Sequence, residues 1–245
     1  MAQGIQTAIV TGASKGIGAA IAKRLAKDGF AVVINYSQSA KKAETIVSEI
    51  QKKGGRAIAV QADVSNADSM RKLFKQAETE FGNLQVVVNN AGVMQLAPIA
   101  TMEDDAFNKM VDTNFKGVFN GMREAAQRLP QGGRIISFSS SVVGVYGSGY
   151  GIYGATKAAV EAMTHVLAKE LGPKKINVNT IAPGPVETEM FFDGKSNEQL
   201  AAIRQSIPFN RLGRPEEIAD VVSFLAGPSS TWINGQIIRV NGGMI

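Results

Sequence analysis

Tyr153 and Lys157 stand four residues apart in the run YGATKAAVEAM. The alanine-rich segment from Ile152 onward reads as a helix, which puts the phenol and the ammonium one turn apart on one face, within reach of a common point. A free phenol titrates near pH 10 and is a poor acid or base at neutrality, whereas an adjacent ammonium favours its phenolate. Lowering its pKa by ~3 units takes about 4 kcal/mol of differential stabilisation. A phenol tuned in this way exchanges a proton with an alcohol or carbonyl oxygen. Three of the four tyrosines, Tyr146, Tyr150 and Tyr153, fall in this neighbourhood. Tyr146 and Tyr150 lack a lysine at the same offset, and Tyr150 precedes the helix, so both are read as pocket wall.

The elements that must hold this pair follow from the pattern of apolar runs. IQTAIV, AVVIN, RAIAVQ, LQVVVNN, GRIISFSS, INVNTIA and QIIRV alternate with longer segments of helical period. Val/Ile-rich runs without polar alternation fit strands covered on both faces, and the long connections require crossovers rather than hairpins. The expectation is an α/β fold of Rossmann type: a doubly wound, mostly parallel seven-stranded sheet with helices on both faces, forming a single domain over residues 1–245. Ser65 with Asp68 resembles a capping box, and Pro215 followed by Glu216 and Glu217 fits a helix start. Residues 187–209 separate two sheet-forming regions and read as a lid over a site, or as a surface helical excursion.

Between the first run and the first helix lies TGASKGIG, with Gly12, Gly16 and Gly18 in the turn. Glycines there let the backbone approach a diphosphate at a helix N-terminus, where unpaired N–H groups and the helix dipole favour negative charge. The same letters spell the G-x-S-x-G elbow of a serine hydrolase, with Ser14 as nucleophile and His165, the one histidine, as base. His165 sits mid-helix by pattern rather than on a loop at the sheet edge, which counts against that reading.

Composition narrows the field further. There is no cysteine and one histidine, against disulfides, thiolate chemistry and a Cys/His metal site. The formal charge of +5 is spread as scattered pairs such as Lys41-Lys42 rather than as a basic stripe, so nucleic acid is not expected as a partner. No apolar run approaches membrane-spanning length, and the N-terminus shows no export signal, so the expected location is cytoplasmic.

TGASKGIG, NNAG at 89–92, the serines before YGATK, and APGPVET at 182–188 together resemble the short-chain dehydrogenase/reductase family. The likeness spans essentially the whole chain, including RLGRPEEIADVVSFLAG and INGQIIRVNGG near its end. It implies a catalytic set of Asn114, Ser140, Tyr153 and Lys157. By that resemblance Tyr153 would protonate a carbonyl oxygen while a reduced nicotinamide delivers hydride, Lys157 would lower the phenol's pKa and hold the ribose, and the serine would bond the substrate oxygen. Asn114 anchors a water serving Lys157, or simply kinks a helix. Of the consecutive serines, counting back from Tyr153 selects Ser140, and aligning SVVG selects Ser141; Ser140 is preferred.

The resemblance also assigns a cofactor site: Gly12, Ser14, Lys15, Gly16, Ile17 and Gly18 at the diphosphate, Asp63 and Val64 at the adenine, and Asn90, Ala91 and Gly92 along the riboses, with Tyr153 and Lys157 counted in the cofactor set as well. Pro183, Gly184, Val186 and Thr188 would meet the carboxamide. Asn35, Tyr36 and Ser37 stand where an NAD-preferring protein would carry an acid, and Lys15 adds a cation, so NADP(H) is the expected cofactor. Met94, Val142, Tyr146, Tyr150, Phe191 and Phe192 would form an apolar substrate pocket. The nearest class is 3-oxoacyl-carrier-protein reductase, with Arg128 and Lys174 near its carrier-docking positions; the alternative is a reductase of free ketones or aldehydes. Ala155, Ala158, Ala159 and Ala162 permit close packing of the Tyr153 helix in a homotetramer, or equally in a monomer core.

Overall fold

The computed structural model describes residues 5–245, so the first four residues of the expected domain lie outside the described region. The seven apolar runs form seven strands: β1 (Thr7–Val10), β2 (Ala31–Tyr36), β3 (Arg56–Gln61), β4 (Leu84–Asn89), β5 (Arg134–Phe138), β6 (Asn177–Pro183) and β7 (Ile237–Val240). They pair in the order β3-β2-β1-β4-β5-β6-β7, and every pairing is parallel. Parallel strands buried on both faces favour apolar side chains on either side of the sheet, which is why Val and Ile run on without alternation. Along β4, Val86 and Val88 enter the core of one face and Val87 that of the other.

The first face is covered by α1 (Gly16–Lys27), α2 (Ala40–Lys52) and α10 (Pro215–Ala226). The second is covered by α3 (Ala67–Phe81), α5 (Gly117–Arg128) and α7 (Gly151–Glu170). The short helices α4 (Asp104–Met110), α6 (Val142–Val145), α8 (Glu189–Phe192) and α9 (Asn197–Ser206) lie on the connections. Among the described residues, no helix is long and apolar enough to cross a membrane.

Pro215 opens α10 as expected, and Glu217 accepts the Arg214 N–H at 2.8 Å. The cap of α3 lies one residue later than the spacing suggests. Asp63 takes both the backbone N–H and the hydroxyl of Ser65, at 2.9 and 2.8 Å, so Asn66 is left to accept the Ser69 N–H at 2.9 Å. Asp63 therefore ties the loop before the helix rather than capping it. The 187–209 segment contains α8 and α9, the latter opened by a Ser196/Gln199 capping box.

Candidate active site

The order in which successive strands are added reverses between β1 and β4, and the loops leaving these parallel neighbours part at their carboxyl ends, where open α/β sheets bind ligands. Thr11 fixes the two loops together. Its hydroxyl accepts the N–H groups of Asn90 and Ala91, both at 3.0 Å, while the Asn90 amide donates to the Thr11 carbonyl at 2.8 Å. Gly12, at φ +62°, packs so close that a Cβ there would sit 2.9 Å from the Ala91 Cα. At Gly18 a Cβ would meet the Gly12 carbonyl at 2.5 Å, so a side chain at either position would force the loops apart.

The resulting cavity holds about 820 Å³. It gathers most of the expected cofactor set: Gly12, Ser14 to Gly18, Asn35 to Ser37, Asp63, Val64, Asn90 to Gly92, Pro183 and Thr188, together with Ser140, Tyr153 and Lys157. Two expected carboxamide contacts do not line it. A Cβ on Gly184 would lie 2.7 Å from that of Asn241, so this glycine serves strand packing, and Val186 is buried in the core and bridged to Gly213. Asn35 reaches the cavity but its side chain is spent: it accepts the Gly12 N–H at 3.2 Å and donates to the Ala62 carbonyl at 3.0 Å. That leaves Tyr36 and Ser37, joined by Gln38 and Ser39, to face a ligand at the end of β2.

The far end of the cavity carries the reactive groups. Helix α7 begins at Gly151, a residue before the expected start, and sets Lys157 Nζ 5.7 Å from the centroid of the Tyr153 ring. Lys157 is 4% exposed and donates to the Phe138 carbonyl at 2.9 Å. Burial pulls the pKa of this ammonium down to about 8. The expected lowering of the Tyr153 pKa is not found. Burial pushes the phenol up to about 12, and the hydrogen bond with the Ser140 side chain only partly offsets it. Desolvation outweighs charge here because the lysine is committed to Phe138 and lies beside the ring.

Of the consecutive serines, Ser140 alone contacts the phenol. Ser141 is buried, donates to the Ala182 carbonyl at 3.2 Å and accepts from Asn241 at 3.0 Å. Ser139 donates to Glu161 at 2.6 Å. Asn114 lies in a π-helical turn, Val111–Lys116, between α4 and α5. Its amide pairs with both backbone groups of Val93 at 2.8 Å, so it clasps the loop after β4 against this helix. The helix is irregular here, as the kink reading expects, and Asn114 itself does not line the cavity; π turns recur at functional positions.

None of the six residues expected to wall a substrate pocket lines this cavity. Tyr146 is 73% exposed in a left-handed conformation, Val142 is buried, Tyr150 packs beside Gly147, and Phe192 is 39% exposed. Phe191 turns toward Lys195, whose ammonium lies 4.7 Å from its ring centroid, and neither Phe191 nor Met94 lines the cavity. Met190, a neighbour of Phe191 outside that expected set, does line it. Both loops carry apolar and polar residues without a period, so spacing gives no sign of which side chain turns inward.

Arg128 pairs with Glu78 at 2.9 Å and Glu124 at 3.1 Å, and Lys174 donates to the Ala126 carbonyl at 3.3 Å. They precede the amino ends of β5 and β6, at the end of the sheet opposite the carboxyl end where the cavity opens, so within one chain neither addresses its mouth. His165 is exposed on α7, outside the cavity, and twelve residues of helix from Tyr153 amount to about 18 Å. With no histidine beside Ser14, the hydrolase reading has no base and is set aside.

The cradle fits a dinucleotide on its own geometry: close-packed glycines under the N-terminus of α1, and Lys15 with no acid at the end of β2. The fold and this crevice define a dinucleotide-binding α/β protein of Rossmann type. The family model described as enoyl-(acyl carrier protein) reductase matches residues 12–245. An NADPH-dependent aldehyde reductase-like chloroplastic protein of Arabidopsis thaliana is 44% identical, covering 98% of this chain and 94% of its own length. The Staphylococcus aureus 3-oxoacyl-[acyl-carrier-protein] reductase is 41% identical, covering 98% of each chain. A short chain dehydrogenase of Burkholderia cenocepacia, solved in complex with NADP, superposes with a TM-score of 0.93 at 37% identity over 98% of this chain and 97% of that one. The chain belongs to the short-chain dehydrogenase/reductase family.

Proposed function

We propose that the protein is an NADP(H)-dependent oxidoreductase that reduces a ketone or aldehyde to an alcohol, with free small carbonyl compounds favoured over carrier-bound thioesters. The observation that carries this reading is the contact of Tyr153 with Ser140 beside buried Lys157 on the wall of a dinucleotide-sized cavity. The NADPH-dependent relative and the NADP-bound family structure support the cofactor. Pairing of Arg128 with two glutamates, at the amino end of the sheet, favours a free substrate over a docked carrier.

Gly12, Gly16 and Gly18 with the N-terminus of α1 would hold the diphosphate, and Lys15 and Ser37 the adenosine end. Once bound, the reduced nicotinamide supplies hydride to the carbonyl carbon. Ser140 and Tyr153 converge on the carbonyl oxygen. A phenol held near pKa 12 is protonated at every working pH and remains far more acidic than the alcohol formed when the alkoxide from hydride addition takes its proton, so Tyr153 is the proton donor. The Lys157 ammonium offsets the phenolate left behind. Asn114 acts as a positioning residue through Val93; both of its amide hydrogens point at protein acceptors, Val93 O and, at 3.4 Å, Thr156 Oγ1. A water held toward Lys157 would therefore rest on a lone pair of Oδ1.

Ala155 and Ala162 are exposed, and Ala158 and Ala159 half-buried, so the small face of α7 looks outward rather than into the core. With exposed Phe115 and Phe119 nearby in sequence on the π turn and α5, this supports packing of α7 in a homotetramer.

Following NADPH absorbance across acetoacetyl-carrier protein, aryl ketones, diketones and aldehydes tests the assignment. Turnover of free carbonyls above the carrier-bound thioester is expected, and no oxidation of NADPH with any of them would overturn it. The serine register has its own test. Ser140→Ala should lower kcat by about 10²-fold, the scale of losing an aimed hydrogen-bond donor in a water-poor site. Ser141→Ala should alter stability more than turnover, since its hydroxyl joins Ala182 to Asn241. The reverse ranking would move the role to Ser141.

A further inference from the structure

At the adenosine end of the cavity one carboxylate bridges two lysines. Glu189, the first residue of α8, places Oε2 3.1 Å from Lys15 Nζ and Oε1 2.8 Å from Lys42 Nζ. The three side chains come from elements distant in sequence: Lys15 immediately precedes α1, Lys42 lies in the first turn of α2, and Glu189 opens the segment that follows β6. The lysines flank the end of β2, where Tyr36, Ser37, Gln38 and Ser39 line the cavity without contributing an acid. Two ammonium groups at this spot would face the adenosine ribose of a bound nucleotide, and a single carboxylate neutralises one of their two charges. A phosphate monoester carries between one and a half and two negative charges and three acceptor oxygens, so it is the better counter-ion for the pair.

We propose that Glu189 is a built-in competitor for the cofactor's 2′-phosphate: it fills the Lys15–Lys42 clamp when no phosphate is present and is displaced when NADP(H) binds. This rests on the NADP(H) reading given above and adds Lys42 and Glu189 as residues that set cofactor choice. When a nucleotide lacks the 2′-phosphate, Glu189 stays on the lysines, which are then not left facing each other unbalanced. When the phosphate arrives, the carboxylate leaves, and with it the tie between the start of the 187–209 segment and the α1 and α2 termini. Phosphate recognition is thereby coupled to release of the stretch that contributes Thr188 and Met190 to the cavity. Both lysines and Glu189 are about half exposed or more, so the competition is modest and weakens as salt screens it.

The test is calorimetric titration of the full-length protein at low ionic strength with two fragments, adenosine 2′,5′-bisphosphate and adenosine 5′-monophosphate. Glu189→Gln should tighten the bisphosphate by about two- to tenfold, the range expected for removing a competitor held by exposed ion pairs. The monophosphate should bind with unchanged affinity. Lys42→Ala should weaken the bisphosphate alone and shrink the gain from Glu189→Gln when the two are combined. Unchanged or weaker bisphosphate binding in Glu189→Gln would overturn the proposal, as would a Lys42→Ala variant that binds both fragments like the parent. Failure of the parent to prefer the bisphosphate over the monophosphate would instead remove the NADP(H) reading beneath it. Carbonyl reduction enters neither measurement.

Discussion

Replacing Tyr153 with phenylalanine is expected to cut carbonyl reduction by about 10²- to 10⁴-fold, the usual contribution of a positioned proton donor. The change removes one oxygen and keeps the ring that sits beside Lys157, so the cavity retains its shape. Affinity for NADPH should stay within a few-fold of the parent, because the diphosphate cradle lies at the glycine turn and shares no contact with the phenol oxygen. Stability should change little: the oxygen's partner is Ser140, which keeps its bond from the Val142 N–H at 3.3 Å. The decisive measurement is kcat with a ketone found in the substrate panel, alongside a binding titration with NADPH. A Tyr153→Phe enzyme that turns over at the parent's rate would remove the proton donor from the mechanism and leave Ser140 or a water to be sought in its place. A variant that loses NADPH binding as well would show that the phenol is part of the cofactor site rather than a separate acid.

How much of this was legible in the sequence depends on whether the property is local. The strands were legible because a parallel strand buried on both faces writes its environment into every side chain, as in the VVV of β4. The glycine turn was legible because Gly12 and Gly18 answer to backbone packing that admits no Cβ. Tyr153 and Lys157 were legible as neighbours because helical spacing alone brings them together. Their protonation was not. The direction of the Tyr153 shift depends on tertiary burial, and Lys157 turns to the Phe138 carbonyl, nineteen residues back on another element. Asn35 illustrates the same limit: its place at the end of β2 suggests a ribose contact, yet the loops of β1 and β3 claim its amide. Arg128 reads as a docking cation until α3 and α5 supply Glu78 and Glu124. The substrate wall was least legible: the six residues named for it do not line the cavity, and the 142–150 and 187–209 connections have no periodicity from which an inward side can be read.

Lys157→Met is the second large effect, and it separates catalysis from stability. Burial has brought the lysine from its ordinary 10.5 to about 8, so between those values the unfolded chain holds more protons than the folded one. Stability from this group therefore rises as pH climbs from about 8 to 10.5, and below 8 the folded state bears the whole cost of a buried ammonium, about 3 kcal/mol. Tyr153, raised to about 12, acts in the opposite sense between 10 and 12, where its buried phenol resists ionisation and stability falls. Methionine removes the desolvation cost but leaves the Phe138 carbonyl without its 2.9 Å donor, a loss of about 1–3 kcal/mol. The two nearly cancel, so urea denaturation at pH 7 should place Lys157→Met within about 2 kcal/mol of the parent. The parent's gain in stability between pH 8 and 10 should vanish in the variant. Turnover should nevertheless drop by about 10²-fold or more, because the phenolate formed after proton donation has lost its neighbouring cation. In the parent, kcat/KM for reduction should decline above about pH 8 as the free enzyme's ammonium is lost. A Lys157→Met protein that kept both the parent's turnover and its alkaline rise in stability would show that this lysine supports neither the chemistry nor the titration assigned to it.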